Sequence, residues 1–339
     1  MSRFFNIAFS SAVALTFAGL GSGAAAAKAK YATFDPPGSV GTYAYSINDK
    51  GAITGMYDDS SGRHGFVREP DGTIASFDGP GATSTTAFEI NADGMVTGHY
   101  FDGARFHGFV RTADGAITKF DPAGSQKTIP HSINAKGEIA GFYCDTADCS
   151  ADNVEHGFMR SADGKITKFD GPFSLLTLGW KINRHGAITG YYSGGIGISG
   201  FVRGADGSFT KFDPPDSQQV FPYGVNSAGA ITGFFYRFQS GSPIGFLRAP
   251  GGGFTTFDPS KGHATEPLAI NDKGVVTGSY NEGGTFIYHG FVRTADGKIK
   301  TFDPRGSTYT AAESINRSGA IAGFYFDGAN VAHGFVRNP

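Results

Sequence analysis

Residues 46–78 read SINDKGAITGMYDDSSGRHGFVREPDGTIASFD, and residues 89–121 read EINADGMVTGHYFDGARFHGFVRTADGAITKFD. The second stretch is the first displaced by 43 positions. Each holds a short run ending in Ile-Asn, a turn such as Asp49-Lys50-Gly51, and a second run, Ala52 to Tyr57. A polar loop leads to a third run, His64-Gly65-Phe66-Val67-Arg68. A turn at Asp71-Gly72 returns the chain through Thr73 to Ser76 and on to Phe77-Asp78. Asp-Gly between two strand-like runs signals a hairpin. Folded about Asp71-Gly72, the hairpin pairs Arg68 with Ala75 and Phe66 with Phe77, and sets His64 across from Asp78 or Gly79.

The same unit recurs along the chain. Phe-Asp stands at Phe34, Phe77, Phe120, Phe169, Phe212, Phe257 and Phe302, in steps of 43, 43, 49, 43, 45 and 45 residues. Four short strands per unit at this period, with no helical periodicity, are the mark of a propeller. A β-helix has shorter coils, and two separate domains would need a composition break that is absent. With 52 Gly and 32 Phe but only 17% charged residues, the composition fits short strands and tight turns. The expected fold is therefore all-β: a seven-bladed β-propeller of four-stranded blades over residues 28–339. The last unit runs out after its third strand, His333 to Arg337. The segment Tyr31-Ala32-Thr33-Phe34-Asp35 matches a fourth strand. An N-terminal strand is thus expected to complete the last blade and close the ring, leaving no exposed edge.

The run Ile-Asn-x-x-Gly-x-Ile-x-Gly-x-Tyr (Ile47 to Tyr57), followed by His64-Gly65-Phe66, resembles the bacterial extracellular HAF-repeat family. The resemblance spans nearly the whole chain after its first 27 residues. It departs in carrying Gly where the family has Ala, as in His107-Gly108-Phe109. The resemblance implies export and a repeat architecture, and no particular activity.

Residues 1–27 read as a signal peptide: Arg3 at the start, an apolar stretch from Phe4 to Leu20, and small residues at Ala24 to Ala27. An uncleaved anchor is the alternative, but the stretch is short for a span. No later segment is apolar for long enough to cross a membrane, so a secreted or periplasmic location is expected. Cys144 and Cys149, the two cysteines of the chain, are expected to form a local disulfide. Metal binding there would need further ligands, and no metal or cofactor is expected anywhere. A formal net charge of −2 gives no grip on nucleic acid or anionic lipid. A monomer with a glycan, cell-envelope or protein ligand is the expectation.

Comparing the units separates framework from candidates. A residue present in every unit serves folding; chemistry needs a singular one. The Asn of each Ile-Asn (Val-Asn in the fifth unit) is expected to bond the backbone of its turn. The Arg ending each third strand is expected to make an inter-blade ion pair or a carbonyl contact. The Phe before it, from Phe66 to Phe335, should fill the layer between blades. The Gly preceding that Phe is expected to permit close backbone approach. His64, His107, His156, His289 and His333 open five third strands, too widely spread to share a metal, and are read as hydrogen-bond ties to an Asp.

Variation concentrates two residues before the Ile or Val of each Ile-Asn: Tyr45, Phe88, His131, Trp180, Tyr223, Leu268 and Glu313. On a propeller these line the channel mouth. They could build an asymmetric ligand site, or serve as inter-blade packing. A second exception is the run Tyr236-Arg237-Phe238, which could stack on sugars or dock a partner. No nucleophile elbow, Walker loop or zinc spacing occurs. A non-catalytic binding protein is the leading expectation. The alternative is a polysaccharide hydrolase or lyase using Glu266 and Glu313, with His131 near them.

Overall fold

The computed structural model describes residues 30–146, 149, 155–194, 197–238, 241–259, 263–283 and 287–339; the signal-peptide reading falls outside them. Among these residues there are 28 strands and no helix long and apolar enough to cross a membrane. The strands pair antiparallel in successive fours. The first four are Gly41–Ile47, Ile53–Asp59, Gly62–Arg68 and Ile74–Phe77. The number of strands fits seven four-stranded blades. In the last unit, Tyr309–Ile315, Ile321–Phe326 and Ala332–Arg337 are joined by Tyr31–Phe34. That strand runs antiparallel to Ala332–Arg337, with Tyr31 opposite Arg337 and Phe34 opposite Gly334.

The register of the outer hairpin differs from the expectation by one residue. Arg68 faces Ile74 and Gly65 faces Phe77, so His64 meets Asp78. The reason lies in the turn. Gly72 donates its N–H to the Glu69 carbonyl at 2.9 Å and has φ of 98°, which makes the loop three residues long with a left-handed glycine at its end. A two-residue loop would have shifted every pair.

Each repeated Asn works twice. The Asn48 Oδ1 accepts the N–H groups of Lys50 and Ala52, both at 3.0 Å, which ties its own turn. Its Nδ2 donates to the carbonyl of Asn91 in the next unit. The pattern repeats from Asn91 to Asn134, Asn183, Asn226, Asn271 and Asn316, and Asn316 donates back to Asn48, all at 2.9–3.2 Å. All seven Asn are buried, where an amide left without partners would be costly.

Between units the packing is aromatic. Phe66 and its six equivalents are fully buried. Each stands edge-on to the fourth-strand Phe of the preceding unit, as Phe109 does to Phe77 at 5.8 Å. The third-strand Arg lies over that same Phe, as Arg111 does over Phe77 at 4.9 Å, and donates to the next residue's carbonyl. The carbonyl contact is as expected; in place of an inter-unit ion pair there is a cation–π contact. The Gly before the Phe gives room to a side chain and not to backbone: a Cβ on Gly65 would lie 2.7 Å from the Phe77 ring.

The five third-strand histidines each hold an Asp, with Nδ1 to the carboxylate 2.6–2.9 Å in every case, from His64–Asp78 to His333–Asp35. In four of them the second nitrogen faces another Asp, at 2.9–3.6 Å. Burial pulls the His64 pKa down, but the hydrogen bond to Asp78 and the charges of Asp78 and Asp59 outweigh it and leave it raised. A raised pKa stabilises the fold below the unfolded value near 6.5, and that contribution is lost as pH rises through the folded value. His64→Gln, which keeps a hydrogen bond but no charge, is therefore expected to lower stability most near about pH 5 and hardly at all near about pH 9. Urea melts of both proteins across that window check it. A pH-independent difference would refute it.

Candidate functional site

The first strand of every unit carries a β-bulge. In the first unit Ala44 pairs with Gly55 and Ser46 with Thr54, so Tyr45 has no partner opposite. The same break falls at Phe88, His131, Trp180, Tyr223, Leu268 and Glu313. A bulge re-aims the side chain of its extra residue. The second-strand Gly makes it possible. A Cβ on Gly55 would sit 2.0 Å from the Tyr43 carbonyl oxygen, and one on Gly98 2.0 Å from that of Thr86. The seven varying positions are thus the seven bulge positions, held by an unvarying frame.

All seven side chains line one cavity of about 250 Å³, with Lys181 beside them. The aromatic groups pack in sequence around it. Tyr45 lies 5.8 Å from Phe88, Phe88 4.8 Å from His131, and Trp180 4.8 Å from Tyr223. His131 and Trp180 stack at 3.9 Å with 25° between planes. So the positions expected to vary at the mouth meet in one place, and they also pack against each other.

Burial sets the protonation states. It lowers the pKa of His131 to about 3, with smaller contributions from His99 and Lys181, so this imidazole is neutral and a poor base in neutral solution. His99, 5.3 Å from Phe88, is lowered to about 3 in the same way, and its buried Nδ1 has no hydrogen-bond partner among the described residues. Burial raises the Glu313 carboxyl to about 7, and the charge of Glu266 adds to this. Glu266 lies on the strand Thr265–Ile270 and is not part of the cavity wall. Burial raises it too, against a hydrogen bond from Tyr288.

Position 89 breaks the pattern of its equivalents. Ser46, Ser132 and Ser314 accept an N–H from the next unit's Ile through their hydroxyls, at 3.4, 3.1 and 3.3 Å. Glu89 makes that bond to Ile133 at 3.0 Å and also pairs with Lys181, two units along. Comparing units at this position would have exposed Glu89 and Lys181 in the sequence. His99 stands out in the same way among Met56, Phe142, Tyr191, Phe234, Ser279 and Phe324, but its neutral state depends on packing.

The run at the end of the fifth unit's second strand, Ile231–Arg237, divides. Tyr236 is half-buried against Phe221 and Phe234, at 6.2 and 6.0 Å. Arg237 is exposed, with its guanidinium 6.0 Å from the Phe235 ring. Phe238 is 71% exposed and borders a separate surface depression with Ser199, Lys211 and Asp213. Cys144 and Cys149 are bonded, with Cα atoms 5.7 Å apart. Glu155 lies next to them, but sulfurs in a disulfide are not thiolate ligands.

No family model matches the chain, and no curated protein does. Solved structures match in fold. The virginiamycin B lyase from Staphylococcus aureus has a TM-score of 0.61 at 16% identity, covering 92% of this chain and 100% of that one. The β-propeller domain of the Trilobed protease from Pyrococcus furiosus has a TM-score of 0.61 at 11% identity, covering 88% and 94%. An oligogalacturonate lyase in complex with manganese has a TM-score of 0.62 at 10% identity, covering 91% and 96%. The shared architecture is the β-propeller.

Proposed function

We propose that this chain is an exported propeller of seven blades, closed on itself by the strand Tyr31–Phe34, that binds a glycan or another cell-envelope component at its channel mouth without transforming it. One observation carries the reading. Seven bulges on a repeated frame hold side chains that differ from unit to unit, and all of them surround one cavity. Packing alone would tolerate one residue type repeated seven times, as the buried Phe series shows. The disulfide supports an oxidising compartment, and the HAF-like motif supports an extracellular one.

A glycan array probed with residues 28–339 tests this. Trp180→Ala is expected to weaken any glycan captured by about tenfold or more, the usual scale for an aromatic anchor that a ligand buries, in a variant shown by circular dichroism to remain folded. Undiminished capture by that variant would remove the mouth as the site.

The second reading, a polysaccharide lyase or hydrolase, draws on the raised Glu313 carboxyl, which is suited to proton transfer near neutral pH. Two of the three solved structures named above are lyases by their own descriptions. Under this reading the array glycan is cleaved, and Glu313→Gln stops cleavage while binding persists.

A further inference from the structure

Glu313 presents an acid to the mouth cavity with nothing of opposite charge to meet it. Among the described residues its carboxyl takes part in no hydrogen bond or ion pair; burial and the charge of Glu266 are what act on it. Among the described residues Lys181 is the one cation of the cavity wall, and it is held by Glu89. The imidazoles of His131 and His99 are kept neutral by burial. The rest of the wall is four aromatic side chains and Leu268. Surroundings of that kind have a low effective dielectric, so a charge there is strongly felt and poorly screened. The cavity is thus short of a positive charge that the protein does not provide.

We propose that the channel mouth is a site for an organic ammonium group, seated among Tyr45, Phe88, Trp180 and Tyr223 with Glu313 as its counter-ion. The proposal rests on the binding reading above and names the chemistry of the ligand. A bare metal ion suits the site less. Among the described residues, the three-ligand cluster of His, Cys, Asp or Glu groups lies at Cys144, Cys149 and Glu155, away from this wall. Aromatic walls favour an alkylated or sugar-borne ammonium over a strongly hydrated ion. The volume, about 250 Å³, equals roughly eight water molecules of liquid, enough for a small head group. Two sources share this chemistry: the amine of an amino sugar within a glycan, and a choline-type quaternary ammonium.

The protein carries its own reporter. Trp180 is the one tryptophan of the chain and lies in the cavity wall, so intrinsic emission reads occupancy directly. The experiment titrates residues 28–339 with glucosamine, choline and neutral N-acetylglucosamine. Either ammonium compound is expected to change the emission saturably, and which one does so identifies the source. N-acetylglucosamine is expected to bind at least about tenfold more weakly, and Glu313→Gln to cost the ammonium about tenfold or more.

A pH series on the unaltered protein guards against a variant that fails to fold. Burial pushes Tyr45, Tyr223 and Tyr309 up and the two imidazoles down, which leaves the Glu313–Glu266 pair to titrate between them. With Glu313 near 7, the affinity for choline, whose charge does not titrate, should rise about tenfold from pH 6 to pH 8, while glucosamine, whose amine loses its proton in that range, gains less. Equal binding of neutral and charged sugars, or affinity independent of both Glu313 and pH, overturns the ammonium site and leaves glycan binding standing. Silence from all three compounds together with a blank glycan array overturns both.

Discussion

Gly98→Ala is expected to destabilise the protein by about 3 kcal/mol or more, in the upper range for overpacking of a tight site. The added methyl would lie 2.0 Å from the Thr86 carbonyl oxygen and 2.9 Å from the Ala87 Cα. Both are backbone atoms of the neighbouring strand, so no rotamer change relieves the clash. Relief requires that the bulge at Phe88 straighten, which would slip the register of the strand Ser84–Ile90. Gly328→Ala is the control, because a Cβ there meets nothing within 4 Å. Urea or thermal melts of the two variants decide the matter. Equal stabilities would mean that the glycine is not what the bulge requires.

The second large effect concerns the joint between the seventh and first units. Phe34 stands edge-on to Phe66 at 5.9 Å, beneath Arg68 at 4.9 Å. Phe120, within the chain, has the same arrangement with Phe158 at 6.0 Å and Arg160 at 5.1 Å. Both rings are buried to nearly the same degree. Each truncation to alanine is therefore expected to cost about 3–5 kcal/mol, the range for a buried Phe. The comparison is the informative part. If Phe34→Ala costs under about 1 kcal/mol while Phe120→Ala costs the full amount, the terminal strand is loosely held and the ring reading fails.

Much of this architecture could be read from the chain alone because every unit repeats the same punctuation. Asp71-Gly72 and Asp49-Lys50-Gly51 bound the strands, and the alignment of units placed the varying residues at one level. What the sequence did not yield were effects that depend on one added residue or on a neighbour in space. The turn at Gly72 is one residue longer than a two-residue hairpin, so the outer register moved. The bulge at Tyr45 left only an indirect trace, the glycine at position 55. The partner of Arg68 is Phe34, on the strand that pairs with the last unit, and only the spatial arrangement shows that contact. Glu313 and Glu266 were grouped as residues of adjacent inner strands, yet the first lines the cavity and the second acts on it through charge. Strand pairing is local and legible; whether a side chain reaches a shared space depends on all seven units at once.

The strand Tyr31–Phe34 has a further consequence. It is synthesised before the other described strands, and its mate is the last of them. Asp35 and His333, which tie the two together, are 298 positions apart. Until that mate arrives, the earliest segment must wait with an open edge while later sheets assemble beside it. Such distant pairing is slow to find. A polypeptide that stops before Ala332 cannot satisfy that edge, so assembly itself discriminates against chains interrupted upstream of that pair.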